Sequence, residues 1–354
     1  MKNTRSHWLL ALVAGIVPTI GQISIAQAAQ PYHLLAEIPV GGDGFWDYLS
    51  VDPSAHRLYV SHATEIAVID TKNNQVIGHI ADTPGVHGFA IATDLGRGFS
   101  SNGRENTSSI VDLKSLKTLS RTDTGANPDA ILYDPANKEV YTFNGHGESA
   151  TAFDAASGKV TATIPLGGKP EFAVVDPKSK LIYDNLEDKN EVAVIDTGKH
   201  TVVNTWPIAP GEAASGMAFD EANHRLFLGC DNKLMVMMDS TNGKVVATVP
   251  IGEGVDANAF DPATRLAFSS NGEGTVTIAH EESPEKLTVV QTLATEKGAR
   301  TMTLDPSTHR IYLATAKFEA AAPQAPGTPR QRPKIVPGSF KVLVYGTDAV
   351  AAAK

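Results

Sequence analysis

Cysteine is nearly absent. Cys230 is the only one in 354 residues, which excludes an intramolecular disulfide and any Cys-based zinc or haem motif. Charged residues make up only 19% of the chain and aromatics 6%. Beyond Val17 no apolar run approaches the length that crosses a bilayer. The sequence has no G-x-S-x-G, no phosphate-binding P-loop, no C-x-x-C-H, no H-E-x-x-H and no dinucleotide fingerprint. Without a recognisable nucleophile the default expectation is a non-catalytic binding protein. A formal charge of −9 repels nucleic acid at long range and argues against nonspecific DNA binding. What is present is 42% hydrophobic content with 30 Gly and 21 Pro scattered along the chain. That content supplies a core and rules out a disordered chain. Dispersed turn-formers among many Val, Ile and Thr residues predict short strands joined by tight turns.

The first segment reads as a targeting signal. Lys2 and Arg5 precede the apolar run Trp8 to Val17, and Ala26-Gln27-Ala28 supplies a small-x-small end. Pro18 interrupts the run, and Gln22 and Ser24 follow, leaving it too short for an uncleaved anchor. Residues 1–28 are therefore expected to be a cleaved signal peptide. The mature chain is expected to be soluble and periplasmic or secreted. Loss of the two basic residues takes its charge from −9 to −11.

The remainder repeats. An apolar-x-apolar-x-Asp element, usually followed by Pro, ends at Asp52, Asp94, Asp134, Asp176, Asp220, Asp261 and Asp305, at intervals of 40 to 44 residues. After each comes a second strand such as Arg57-Leu58-Tyr59-Val60. A third strand usually ends in Asp, as in Val192-Ala193-Val194-Ile195-Asp196, and a fourth reads like Lys159-Val160-Thr161-Ala162-Thr163-Ile164. Four short strands at this period make one blade of a β-propeller. The fold class is therefore all-β, a seven-bladed β-propeller spanning residues 33–348. The seventh repeat lacks its fourth strand, and Leu34 to Val40, ahead of the first repeat, has the fourth-strand pattern. That N-terminal strand is expected to complete the last blade and close the ring, removing an exposed edge.

Tyr59-Val60-Ser61-His62 followed by Val68-Ile69-Asp70-Thr71 resembles the repeat signature of the YVTN-repeat β-propellers, the YncE family. Tyr141-Thr142-Phe143-Asn144, Phe268-Ser269-Ser270-Asn271 and Ile195-Asp196-Thr197 repeat it with drift. The resemblance covers residues 33–348 and implies an exported binding propeller. It also allows association with DNA, as in some members. At the level of blades the chain is similar to the seven-bladed lactonases as well.

In a four-stranded meander the 1–2 and 3–4 turns share one face. Here those turns are repetitive Asp-Pro and Asn/Gly/Ser turns, including Asp52-Pro53 and Asp261-Pro262, so that face reads as scaffold. His56, His224 and His309 recur at one position in these turns and belong to it. The opposite face is irregular. Five residues before each repeat Asp, at the start of the innermost strand, stand Asp47, Phe89, Asp129, Glu171, Ser215, Asp256 and Arg300. Asp47, Asp129, Glu171, Asp256 and Arg300 are the expected ligand-binding residues at the channel mouth, suited to a cation or a polar, hydroxyl-rich ligand. The alternative is a water-filled mouth. His62, His87 and His146 map to the same face and are the candidate ligands for a divalent metal ion, with Asp129 beside them. The repeat ends His62, Asn102, Asn144, Asn185, Cys230, Asn271 and Thr315 lie there too, where Asn suits turns.

The last 2–3 loop is an outlier. Residues 316–339 are rich in Ala and Pro and carry Lys317, Arg330, Arg332 and Lys334 against Glu319. This long insertion is expected either to fold over the acidic mouth as a lid or to stay in solvent. The functional expectation is a non-catalytic, monomeric binding propeller for a small polar ligand, a cation or a protein partner. One alternative is a metal-dependent lactonase-like hydrolase, its ion held by Glu171, Asp256 and an Asn such as Asn144, Asn185 or Asn271. The other is a DNA-binding propeller, disfavoured by the charge.

Overall fold

A computed structural model describes residues 31–319 and 333–348. The expected signal peptide and residues 320–332 of the insertion lie outside the described residues. The strands form seven four-stranded antiparallel sheets. Blades 1 to 6 take four consecutive strands each. In blade 7 the order is His33–Pro39, Lys341–Gly346, Arg310–Thr315, Met302–Asp305 from rim to axis. The N-terminal strand pairs antiparallel with Lys341–Gly346, so the ring is closed by the two ends of the described chain. Among the described residues no helix is long and apolar enough to cross a membrane.

The second and third strands of each blade are buried on both faces, as in Leu58 to Val60 and Ile66 to Ile69. A single blade leaves both apolar faces bare, so blades must stack. The buried side chains accordingly divide into seven clusters, one at each seam between neighbouring blades. Tyr59, Ile66 and Val68 of blade 1 meet Val86, Phe89 and Val111 of blade 2. The closing seam joins Ile38, Tyr312 and Val342 of blade 7 to Leu49, Leu58 and Val60 of blade 1.

Turn chemistry follows from the repeat Asp. The Asp52 carboxylate accepts from the Ser54 amide and hydroxyl and from the Ala55 amide. Asp261 accepts from the Ala263 amide, the Thr264 hydroxyl and, from blade 7, His309 Nδ1 at 2.7 Å. The residue just before the second strand has positive φ in every blade: His56, Gly96, Lys138, Lys180, His224, Arg265 and His309. The recurring histidines are thus turn residues of the scaffold.

One repeat departs from the sequence register, and in another the expected repeat end is misplaced by one residue. In blade 2 the innermost strand, Val86–Ala92, ends before Asp94, which sits in a short 3-10 turn, Thr93–Leu95. Counting back from Asp94 therefore slips by two residues. Phe89, placed at the mouth by that count, is buried in the seam with its ring 4.8 Å from Tyr59. In blade 4 the second strand runs to Leu186, so Asn185 is one place short of the repeat end. Its amide donates to the Ser215 and Gly216 carbonyls of blade 5. The base of the insertion is also more structured than its composition suggests. Phe318 bridges Ile335, the Glu319 amide donates to the Lys334 carbonyl, and Phe318 packs 6.1 Å from Trp46.

Candidate functional site at the channel mouth

Each of blades 1 to 6 begins its innermost strand with the same device. One residue pairs with the end of the second strand, as Trp46 does with His62 and Val86 with Asn102, and the register then shifts. Pro128, Pro170, Ala214 and Val255 do the same. A bulge re-aims the side chain that follows. That side chain is Asp47, His87, Asp129, Glu171, Ser215 or Asp256 in turn. Arg300 occupies the corresponding approach in blade 7, two residues before its innermost strand.

The structure brings these residues together. His87 Nδ1 stands 2.7 Å from Asp47 Oδ2 and 3.5 Å from Asp129 Oδ1. Arg300 Nε lies 3.3 Å from Asp256 Oδ2, and the Ser215 hydroxyl is 3.4 Å from Asp256 Oδ1. Lys169 Nζ lies 3.3 Å from Glu171 Oε2 and bonds Glu187 as well. The side chains of Asp129, Glu171 and Asp256 are 18%, 14% and 14% exposed, so the cluster is sunk below the surface but open to the mouth.

Electrostatics record the crowding. Burial, then the charge of Asp47, pushes Asp129 up to about 6. Burial, then Asp129, pushes Glu171 up to about 8. Asp47 and Asp256 are raised by burial, against the favourable pull of His87 and Arg300 respectively. Burial opposes charge on His87, but the bond to Asp47 and the charges of Asp129 and Asp47 outweigh it and lift the imidazole to about 9. Like charges gathered from separate blades without full compensation are a place where a cation is favoured.

The floor of this cup was not legible as such. One residue deeper than the bulge, blades 2, 3, 5 and 6 carry Gly88, Ala130, Gly216 and Ala257, whereas blades 1 and 4 carry Tyr48 and Phe172. Their rings meet edge to face at 5.4 Å. Blades 1 and 4 are three places apart in a ring of seven, so this contact crosses the channel axis. The Tyr48 hydroxyl lies against Asp129. Asp184 was also missed. It stands where blades 2, 3 and 6 have Ser100, Thr142 and Ser269. It is fully buried and neither carboxyl oxygen completes a hydrogen bond. Burial, then the charge of Glu171, holds it far above the carboxylate range.

The three candidate histidines do not converge. His87 joins the cup. His62 is buried at the closing seam, its ring stacked on Phe340 at 4.2 Å, and burial lowers its pKa. His146 is exposed in a turn of blade 3. Among the described residues the group with metal-ligand spacing is Asp47, His87 and Asp129, its ligand atoms all within 4.8 Å of one another. Asn144 and Asn271 turn into their own blades, donating to Ser149 and Thr151 and to Thr275 and Thr277.

No family model matches the chain, and no curated protein matches its sequence. Among solved structures it is similar to Kuenenia stuttgartiensis hydrazine synthase, with a TM-score of 0.65 and 17% identity, covering 79% of this chain and 94% of that one. At that identity the likeness concerns the fold alone. A seven-bladed β-propeller is supported, and the YVTN-repeat family expected from the sequence is not confirmed.

Proposed function

We propose that this chain is an exported, non-catalytic binding propeller whose channel mouth takes a small ligand bearing positive charge or many hydroxyl groups. The observation that carries this reading is the convergence of Asp47, Asp129, Glu171 and Asp256 from four blades, all four compensated only in part by His87, Lys169 and Arg300. A cationic guest relieves their repulsion. The Tyr48 and Phe172 rings beneath offer an apolar floor of a kind that favours organic cations. Export is supported by the composition of residues 1–28.

The hydrolase alternative keeps Glu171 and Asp256 at the mouth, but Asn144 and Asn185 spend their amides inside the scaffold. The DNA-binding alternative is disfavoured by the acidic mouth and the net charge. The test is a melting-temperature screen of the purified chain with small amines, polyols and metal ions. A ligand-dependent rise that disappears in Asp129→Asn/Asp256→Asn supports the reading. Ligands that bind the double variant as tightly as the parent refute it.

A further inference from the structure

We propose that the mouth holds one divalent transition-metal ion, ligated by Asp47, His87 and Asp129, an inference that rests on the mouth being a binding site. Two carboxylates and one imidazole already lie within 4.8 Å of one another. An ion at about 2.0–2.2 Å from each is reached by side-chain adjustment alone. Mixed oxygen and imidazole ligation suits zinc, manganese or iron better than magnesium or calcium, which favour oxygen alone. Three protein ligands leave a coordination position open toward the channel.

The surroundings fit an ion here. Arg300 serves Asp256, and Lys169 serves Glu171 and Glu187. The Asp47–Asp129 pair has the imidazole as its one ion-pair contact, with Arg300 and Lys169 acting on it from further away. The ring is seated by close backbone approach. A Cβ on Gly103 would stand 2.7 Å from His87 Nε2, so bare backbone there lets the imidazole turn Nδ1 into the cup. An independent feature is Asp184, whose carboxyl lies against the Glu171 main-chain amide and charge in the wall of the cup. It is fully buried, and neither carboxyl oxygen completes a well-aligned hydrogen bond. Glu171 links it electrostatically to Asp129.

The experiment uses the full chain stripped with a chelator and dialysed. Melting temperature and calorimetric titration are followed with Zn²⁺, Mn²⁺, Co²⁺, Mg²⁺ and Ca²⁺. A rise with at least one transition ion, at one ion per chain and exceeding that with Mg²⁺ or Ca²⁺, is expected. His87→Gln and Asp129→Asn should each weaken binding at least tenfold, whereas His146→Ala should not change it. Pulsed electron paramagnetic resonance of Cu²⁺ on the unaltered chain should show one coordinated imidazole nitrogen, a readout independent of variant folding. Absence of that nitrogen, or transition-metal affinity unchanged in His87→Gln, overturns the assignment. If organic amines raise the melting temperature and no metal does, the metal site falls while the mouth stands as a binding site. If neither does, both fall.

Discussion

The two faces of the ring use the same residue type to opposite ends. On the turn face, Asp52, Asp176, Asp261 and Asp305 are buried, and each accepts main-chain amides two or three residues ahead. Cross-blade bonds such as His309 to Asp261 and His200 to Glu139, at 2.7 and 2.8 Å, add to them. On the mouth face, Asp47, Asp129, Glu171 and Asp256 follow a bulge that turns them away from their own strand and toward one another. A carboxylate surrounded by local amide donors builds a turn, whereas one deprived of them and given like-charged neighbours is left to bind something else.

The largest expected effect removes both faces at once. Deleting residues 33–39 strips the rim strand from blade 7 and opens the closing seam, where Ile38 is buried. The deletion should abolish the single cooperative thermal transition. A variant melting in one step at the parent temperature would show that closure is dispensable.

The next separates the faces. Asp261→Ala leaves the Ala263 amide, the Thr264 hydroxyl and His309 without their acceptor, at a fully buried site. It should cost about 2–4 kcal/mol in a denaturant titration. The mouth pair Asp129→Asn/Asp256→Asn should instead leave the metal-free protein as stable as the parent or slightly more so. Equal losses at both sites would erase the contrast.

The pH response sharpens it further. Glu171 rises from 4.5 to about 8 and Asp129 from 3.8 to about 6 on folding, so the folded chain keeps protons the unfolded chain has released. Their stabilising contribution is full below the unfolded values and is lost as pH climbs through the folded ones. His87, raised from 6.5 to about 9, contributes fully below 6.5 and loses that contribution toward 9. All three have the same sign, with Asp47 and Asp256 raised alongside them and Arg300 and Lys169 remaining charged. The metal-free protein should lose stability steadily from pH 5 to 9, and the mouth double variant should show a shallower decline. A flat profile in the parent would contradict the crowding.

The smallest effect concerns the floor. Tyr48→Phe deletes the hydroxyl that favours the charged form of Asp129. Stability should change by less than about 1 kcal/mol, while the Asp129 carboxyl, followed by carbon-detected NMR, should titrate at higher pH. An unmoved titration would show that the hydroxyl does not serve Asp129.

Much of this molecule was legible because a repeat amplifies weak local signals. The recurring Asp at the first turn, the apolar alternation and the orphan N-terminal strand fixed seven blades and their closure, since a lone blade has two apolar faces and nowhere else to bury them. Asp47, Asp129, Glu171, Asp256 and Arg300 could be found by counting back from that Asp, because five strands end where the repeat says and Arg300 precedes its strand at the same offset. Where blade 2 adds a 3-10 turn, the count delivered Phe89 in place of His87. In blade 4, whose second strand has the same six residues as that of blade 3 in length, Asn185 was matched to the repeat end one place short of Leu186. The break at Asp184, an acid in a place held by Ser or Thr in blades 2, 3 and 6 and by Val or Leu in blades 1, 5 and 7, and the two aromatics among small residues were visible as departures from the repeat, but their meaning was not. Local sequence sets strand, turn and burial, which act over a few residues. Only the closed ring decides that Tyr48 meets Phe172 across the axis, or that His87 stands between acids 40 and 42 residues away, because those contacts depend on how seven separate sheets are angled around one channel.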